Sequence, residues 1–167
     1  VPLRARKLML ATGGHPSGRK LAESLGHQVI PPVPSLFSLS LQANALGACS
    51  GIAVDDVSLD LKIGTQRFRQ TGRVLITHRG LSGPATLRLS AFAARALHQS
   101  QYKGELKVDW SCGLGRQGVE QTLRHWRLDK ARRTLTAAKP FEHVPRRLWQ
   151  AFLSEVGVSD DLRWADL

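Results

Sequence analysis

The chain has 167 residues, 42% of them hydrophobic and 22% charged. These are the proportions of an ordinary globular protein: they exclude wholesale disorder, and the length suits one domain or two small packed subdomains rather than a complete two-domain cofactor enzyme. With 24 Lys and Arg against 13 Asp and Glu the formal charge is +11, a field that attracts nucleic acid, acidic membranes or phosphate-bearing cofactors, and one that many basic soluble proteins carry with no polyanionic partner.

No run nears the ~18 apolar residues of a membrane span, and the start lacks a signal-peptide core, so the chain reads as soluble and cytoplasmic with no membrane partner. Cys49 and Cys112 are its only cysteines; they provide neither a disulfide framework nor a structural zinc site. The chain begins at Val1 and its one methionine, Met9, sits inside an apolar run, which reads as an excised piece of a longer protein.

Lys7 to Gly14 is a short apolar run closed by two glycines, the pattern of a buried strand stopping at a tight turn. Arg19 to Leu25, preceded by Ser17-Gly18 and followed by Gly26, reads as a short helix with a glycine C-cap. Pro31, Pro32 and Pro34 permit neither helix nor central strand and mark a stiff crossing between domains. The period then turns to two. Val57, Leu59, Leu61 and Ile63 alternate with Ser58, Asp60 and Lys62, and Leu36 to Leu41 alternates as well. Gln66–Gln70 and Arg73–Thr77 are further strand candidates, separated by Gly64 and Gly72, and together these short strands suggest a small antiparallel barrel or sandwich. Pro84 fits the first position of a helix running to about Leu97, with Ser82 or Gly83 as its cap. Lys103 to Trp110 alternates again. From Gly118 onward only helical spacing remains, over Val119–Trp126, Ala131–Leu135 and Leu148–Val156. The predicted fold is α+β: a lead-in over 1–34, a β-barrel subdomain over 35–112 with one helix at about 84–97, and a helical subdomain over 113–167.

Gly113, Gly115 and Gly118 spell G-x-G-x-x-G between a strand and a helix. A dinucleotide fingerprint also needs a second parallel strand ending in an acidic residue ~20 positions on. Here Arg124 to Lys130 and more helix follow, so the glycines read as a strand-to-helix turn. The six histidines show no metal-ligand spacing, and Gly80-Leu81-Ser82-Gly83 only approximates a nucleophile elbow; no catalytic residue and no metal site is assigned. The turn from Thr77 to Pro84 is the most interesting site. Thr77, His78, Arg79, Gly80, Ser82 and Gly83 combine hydroxyls, an imidazole and a guanidinium with backbone N–H groups at a helix N-terminus, which suits an anion; an ordinary capped turn uses the same residues. Basic residues crowd the last third, among them Arg116, Arg124, Arg127, Lys130, Arg132 and Arg133, as on a phosphate-backbone surface or a solvated basic face.

Leu10-Ala11-Thr12-Gly13-Gly14, Leu25-Gly26-His27, Pro31 to Leu36 and above all Thr77-His78-Arg79-Gly80-Leu81-Ser82-Gly83-Pro84-Ala85 resemble NAD(P)/FAD-dependent oxidoreductases of the aminoacetone-oxidase-like, bile-acid flavin reductase type. The resemblance runs over nearly the whole chain. It implies a flavin-binding Rossmann domain interrupted by an insert of a small β-barrel and a helical subdomain, with this chain as the insert and its entry strand. On that view Thr12, Gly13 and Gly14 mark the cofactor side, and Thr77, His78, Arg79, Gly80, Ser82 and Gly83 form the turn facing flavin or substrate. The partners implied are the remainder of the flavin domain and a small-molecule substrate; FAD belongs to the intact protein rather than to this chain alone, with NAD(P)H as candidate reductant, and the isolated piece is inactive. One departure is the short His15-Pro16-Ser17-Gly18 link, where members carry a longer Gly/Ser/Thr-rich loop. The alternative reading is a basic module that binds RNA or another polyanion.

Overall fold

Residues 5–42 and 46–167 are described by the computed structural model, which divides into Val1–Pro32 and Val33–Leu167. In the first unit the expected helix forms as α1 (Pro16–Ser24). Pro16 occupies its first turn, where a missing N–H costs nothing, and His15 Nδ1 accepts the Ser17 N–H at 3.2 Å. Leu25 N–H closes the other end on the Leu21 and Ala22 carbonyls, with Gly26 left-handed at φ 86°. Lys7 to Gly14 is not the buried strand its composition suggests. It has no ladder partner among the described residues, and Leu8 and Met9 are 67% and 86% exposed. The physical reason is the lack of a covering layer: Leu21, Leu25 and Ile30 of the same unit are exposed too.

The second unit is built on a five-stranded antiparallel sheet, an open half-barrel of order β1-β4-β3-β2-β5. Its strands are β1 (Leu39–Ser40), β2 (Ala53–Ile63), β3 (Gln66–Thr77), β4 (Gly80–Ser82) and β5 (Glu105–Asp109). Two-residue alternation sets the faces. Val57, Leu59, Leu61 and Ile63 turn inward and are buried, while Ser58, Asp60 and Lys62 point outward. The two strands expected on either side of Gly72 are one. A register shift between Val54 and Val57, with Asp56 at φ 54°, absorbs the irregularity on β2, so Gly72 pairs with Val57 and β3 continues. The helix expected over 84–97 is divided at the buried Ala93 into α2 (Pro84–Phe92) and α3 (Ala94–Gln99). Ala85, Leu89, Ala93 and Leu97 supply small and branched apolar groups that share the core with the inner face of the sheet.

Two longer helices follow, α4 (Gly115–Asp129) and α5 (Arg146–Glu155). Between them Ala131 to Leu135 is not helical, contrary to its spacing. The C-terminal tail captures its backbone instead: Leu135 N–H donates to Leu162 O at 3.0 Å, Trp164 N–H to Arg133 O at 3.0 Å and Ala165 N–H to Ala131 O at 3.1 Å. Trp164 anchors this pairing. It is fully buried, its Nε1 donates to Ala138 O at 3.0 Å, and its ring lies 6.4 Å from Trp149, stacked, and 5.7 Å from Trp126. Trp149 Nε1 in turn donates to Leu135 O at 2.8 Å. The helices and the half-barrel share one core, with Cys49 Sγ donating to Arg147 O at 3.5 Å and Arg147 reaching Ala48 O. No helix among the described residues is long and apolar enough to cross a membrane.

Trp164→Ala is expected to destabilise the fold by about 3–5 kcal/mol, the usual cost of truncating a buried tryptophan. Trp164→Phe keeps most of the apolar area but leaves Ala138 O without its donor, at a cost of about 1–3 kcal/mol. Urea unfolding followed by tryptophan fluorescence and circular dichroism separates the two.

Candidate functional site

The Thr77–Pro84 string folds as a hairpin running into a helix. Thr77 ends β3, His78 and Arg79 make a two-residue turn, Gly80–Ser82 forms β4, and Gly83 is the N-cap of α2. This corrects the expected open turn with its presented N–H groups: β4 pairs with β3 on one side and β1 on the other, and Leu81 is fully buried. Thr77 Oγ1 pins the turn, accepting from Gly80 N–H at 3.2 Å and donating to Gly80 O at 3.1 Å. What the hairpin exposes is His78 and Arg79 at its tip. Beside them Ser38 Oγ donates to Ser82 Oγ at 2.7 Å, and Thr86 Oγ1 of α2 donates to Ser82 O at 2.9 Å.

Two glycines are needed for this geometry. At Gly80 (φ 153°) a Cβ would run into Leu39 O and approach Leu41 N at 2.9 Å. At Gly83 (φ 92°) it would meet Leu75 N at 2.9 Å and Arg73 O at 3.0 Å. The close approach is therefore to the protein's own strands.

Thr12, Gly13 and Gly14 lie in the first unit. Thr12 Oγ1 fills the space over Gly18, Gly13 turns the chain at φ 58°, and Arg19 Nη1 donates to Gly14 O at 3.1 Å. All three are exposed, with open space where the Gly13 and Gly14 side chains would be. An FAD pyrophosphate needs convergent N–H groups in a closed turn, and these residues by themselves form no such cradle. Gly113 and Gly115 lead from the edge strand β5 into α4; β5 is antiparallel to β2 and no parallel strand follows among the described residues, which leaves these glycines a turn.

Charge is sorted across the second unit. On the outer face of the sheet Asp60 receives Arg67 and Arg69, each at 3.0 Å, and Arg73 stands 3.7 Å from Asp55. Desolvation pushes the Asp60 carboxyl up, but the hydrogen bonds and charges of Arg69 and Arg67 outweigh it, and the group ends below its ordinary value. On α4, Arg116 pairs with Glu120 and His125 Nε2 stands 3.0 Å from Asp129. Arg124, Arg127, Lys130, Arg132 and Arg133 are exposed and pair with no carboxylate among the described residues. The tail pairing sets Arg163 opposite Thr134, next to Arg133, a residue the sequence pattern does not single out because it is ~30 positions away and has no periodic relation to α4. Neither cysteine is an activated nucleophile: Cys49 is buried, and desolvation with nearby Asp56 and Asp109 pushes the Cys112 thiol up.

A family model described as the HI0933-like protein barrel and H2TH domain matches residues 33–167. The 3-dehydro-bile acid delta(4,6)-reductase of Clostridium scindens is 26% identical over 98% of this chain and 43% of its own length. Ribosomal RNA dihydrouridine synthases are similar over about half of the chain: that of Escherichia coli is 38% identical over 52% of the chain and 23% of its own length, and that of Haemophilus influenzae 36% over 53% and 24%. The chain thus spans less than half the length of these relatives.

Gly80→Ala and Gly83→Ala are each expected to destabilise the unit, and Gly80→Ala in addition to loosen β1, read as faster hydrogen exchange at Leu39 and Leu41. A second expectation concerns acid. Because the Asp60 pKa is lower folded than unfolded, its contribution is complete above the ordinary carboxylate pKa and is lost as pH falls through the folded value. Asp60→Asn should therefore lower stability at pH 7 and shrink the further loss seen on acidifying below about pH 4, checked by urea melts at the two pH values.

Proposed function

Because the chain belongs to the HI0933-like protein barrel and H2TH domain family, we propose that it is the insert domain of a flavin-dependent oxidoreductase, one that covers the flavin, shapes the substrate pocket and is inactive alone. The observation that carries this reading is the β3–β4 hairpin. The most family-specific string of the chain folds into a tip presenting His78 and Arg79, and Gly80 and Gly83 hold it rigid where a side chain would collide with backbone.

In this proposal the FAD of the intact protein is held mainly by the remainder of the flavin domain, consistent with the open geometry at Thr12, Gly13 and Gly14. The uncovered Leu8, Met9, Leu21 and Leu25 are the surface that meets that domain. The bound flavin would supply hydride transfer, with NAD(P)H as the reductant. The hairpin contributes position and charge: Arg79 offers a fixed cation and His78 and Ser82 hydrogen-bonding groups to an anionic or carbonyl part of flavin or substrate. One relative is named a reductase of a bile acid and others are named synthases of dihydrouridine in ribosomal RNA; reduction is the reaction class proposed here.

A second reading concerns the substrate. Unpaired exposed arginines on a chain of charge +11, with relatives that act on ribosomal RNA, favour RNA over the small molecule that the flavin reading otherwise suggests.

The test is the intact enzyme carrying His78→Ala and Ser82→Ala. Flavin reduction or substrate affinity is expected to change by more than about twofold, ~0.4 kcal/mol, with the fold retained; changes within twofold would leave the hairpin a purely structural device. The isolated chain is expected to be colourless and to leave the fluorescence of added FAD unquenched. A yellow preparation with one tightly held flavin per chain would overturn that part.

A further inference from the structure

We infer that the cation cluster where the end of α4 meets the C-terminal tail is a binding surface for the phosphate backbone of a folded RNA. The inference rests on the RNA reading above and adds the place and the mode of contact. Arg127 and Lys130 come from the last turn of α4 and its cap. Arg132 and Arg133 lie on the segment that follows, and the Thr134–Arg163 bridge, with Trp164 N–H on Arg133 O, sets Arg163 alongside. All five residues are exposed, and none is paired with a carboxylate among the described residues.

Three nearby carboxylates have partners other than the side-chain cations of the cluster. Asp129 takes His125 at 3.0 Å, Asp166 accepts Arg163 N–H at 3.2 Å, and Asp161 accepts from Ser159 Oγ at 2.5 Å. Cations at a helix C-terminus also complement the helix dipole, which explains Arg127 and Lys130 within the last turn but not the three arginines beyond it. Trp164 lies buried behind this segment between Trp126 and Trp149 and ties the backbone that carries Arg133 and Arg163 to the core. Cations that neutralise phosphates release condensed counterions, which makes the affinity fall with salt.

The same geometry sets the mode. Trp126 is half-buried against Trp164, and among the described residues the cluster exposes no Trp, Tyr or Phe ring for bases to stack on; His125, the exposed imidazole nearby, lies 3.0 Å from Asp129, so the contacts are to phosphate and independent of sequence. A membrane surface fits less well. α4 turns Leu123 and Trp126 inward and leaves only Leu128 exposed as an apolar group in its last turn.

The experiment uses the full chain and a fluorescein-labelled RNA stem-loop, with anisotropy read across a salt series. Arg127→Gln/Arg132→Gln/Arg133→Gln should weaken binding on the order of tenfold or more and reduce the slope of log affinity against log salt by about two to three. Arg67→Gln/Arg69→Gln, which removes cations already paired with Asp60, should change affinity less than about twofold. The Lys versions of the three cluster substitutions should keep the parent slope, which separates lost charge from lost fold. A stem-loop of the same shape and different sequence should bind equally well.

Four outcomes would overturn the inference: no measurable RNA binding, an unchanged salt slope in the Gln variant, equal weakening by the sheet-face variant, or tighter binding to phosphatidylserine vesicles than to RNA. Flavin colour and flavin reduction play no part in this assay. Failure here would therefore leave the oxidoreductase reading standing, and failure of the hairpin test would leave this surface untouched.

Discussion

A single buried indole, Trp164, organises the C-terminal half of the second unit. Three residues from the end of the chain, it stacks on Trp149 of α5, touches Trp126 of α4 and donates to the Ala138 carbonyl in the segment between them. Four otherwise unrelated stretches are thereby held at fixed spacing. Sheltered by this contact, the irregular chain from Lys130 to Pro145 finds partners for its backbone without becoming a helix. The tail supplies some of them, Trp149 Nε1 reaches Leu135 O, and Lys139 Nζ ties back to the carbonyls of Phe141 and Glu142. The exposed arginines owe their arrangement to the same contact, since without the tail in place Arg163 has no reason to lie near Arg133.

The half-barrel is governed by backbone proximity. β4 is three residues long yet is flanked on both sides, and it closes against β1 and β3 only because Gly80 and Gly83 add no Cβ where carbonyls and amides of Leu39, Leu41, Arg73 and Leu75 approach. A strand so placed cannot also offer its amides to a ligand. The chemistry available at the hairpin is accordingly that of its side chains at the tip.

The positive charge divides into two populations with different physical status. On the outer face of the sheet the arginines are spent on Asp60 and Asp55, where they lower the pKa of Asp60 and bind strand to strand. At the end of α4 the arginines have no such partners among the described residues. A net charge counts both alike, although only the first is offset by carboxylates across the strands.

Much of this was legible from residue order. Alternation of Val57, Leu59, Leu61 and Ile63 set the inner face of β2, Pro84 opened α2, Gly26 closed α1, and the Thr77–Ala85 string identified the family, because each of these signals is local: a side-chain period, a missing N–H, a left-handed φ or a short motif. The remainder required the tertiary structure. Gly72 reads as a break in isolation and is absorbed by a bulge on the partner strand; Ala131 to Leu135 has helical spacing and is drawn into pairing with residues about 30 positions away; the Lys7–Gly14 run is apolar enough for a strand and has no layer to cover it. In each case local propensity amounts to a fraction of a kcal/mol per residue, and a long-range partner, present or missing, outweighs it.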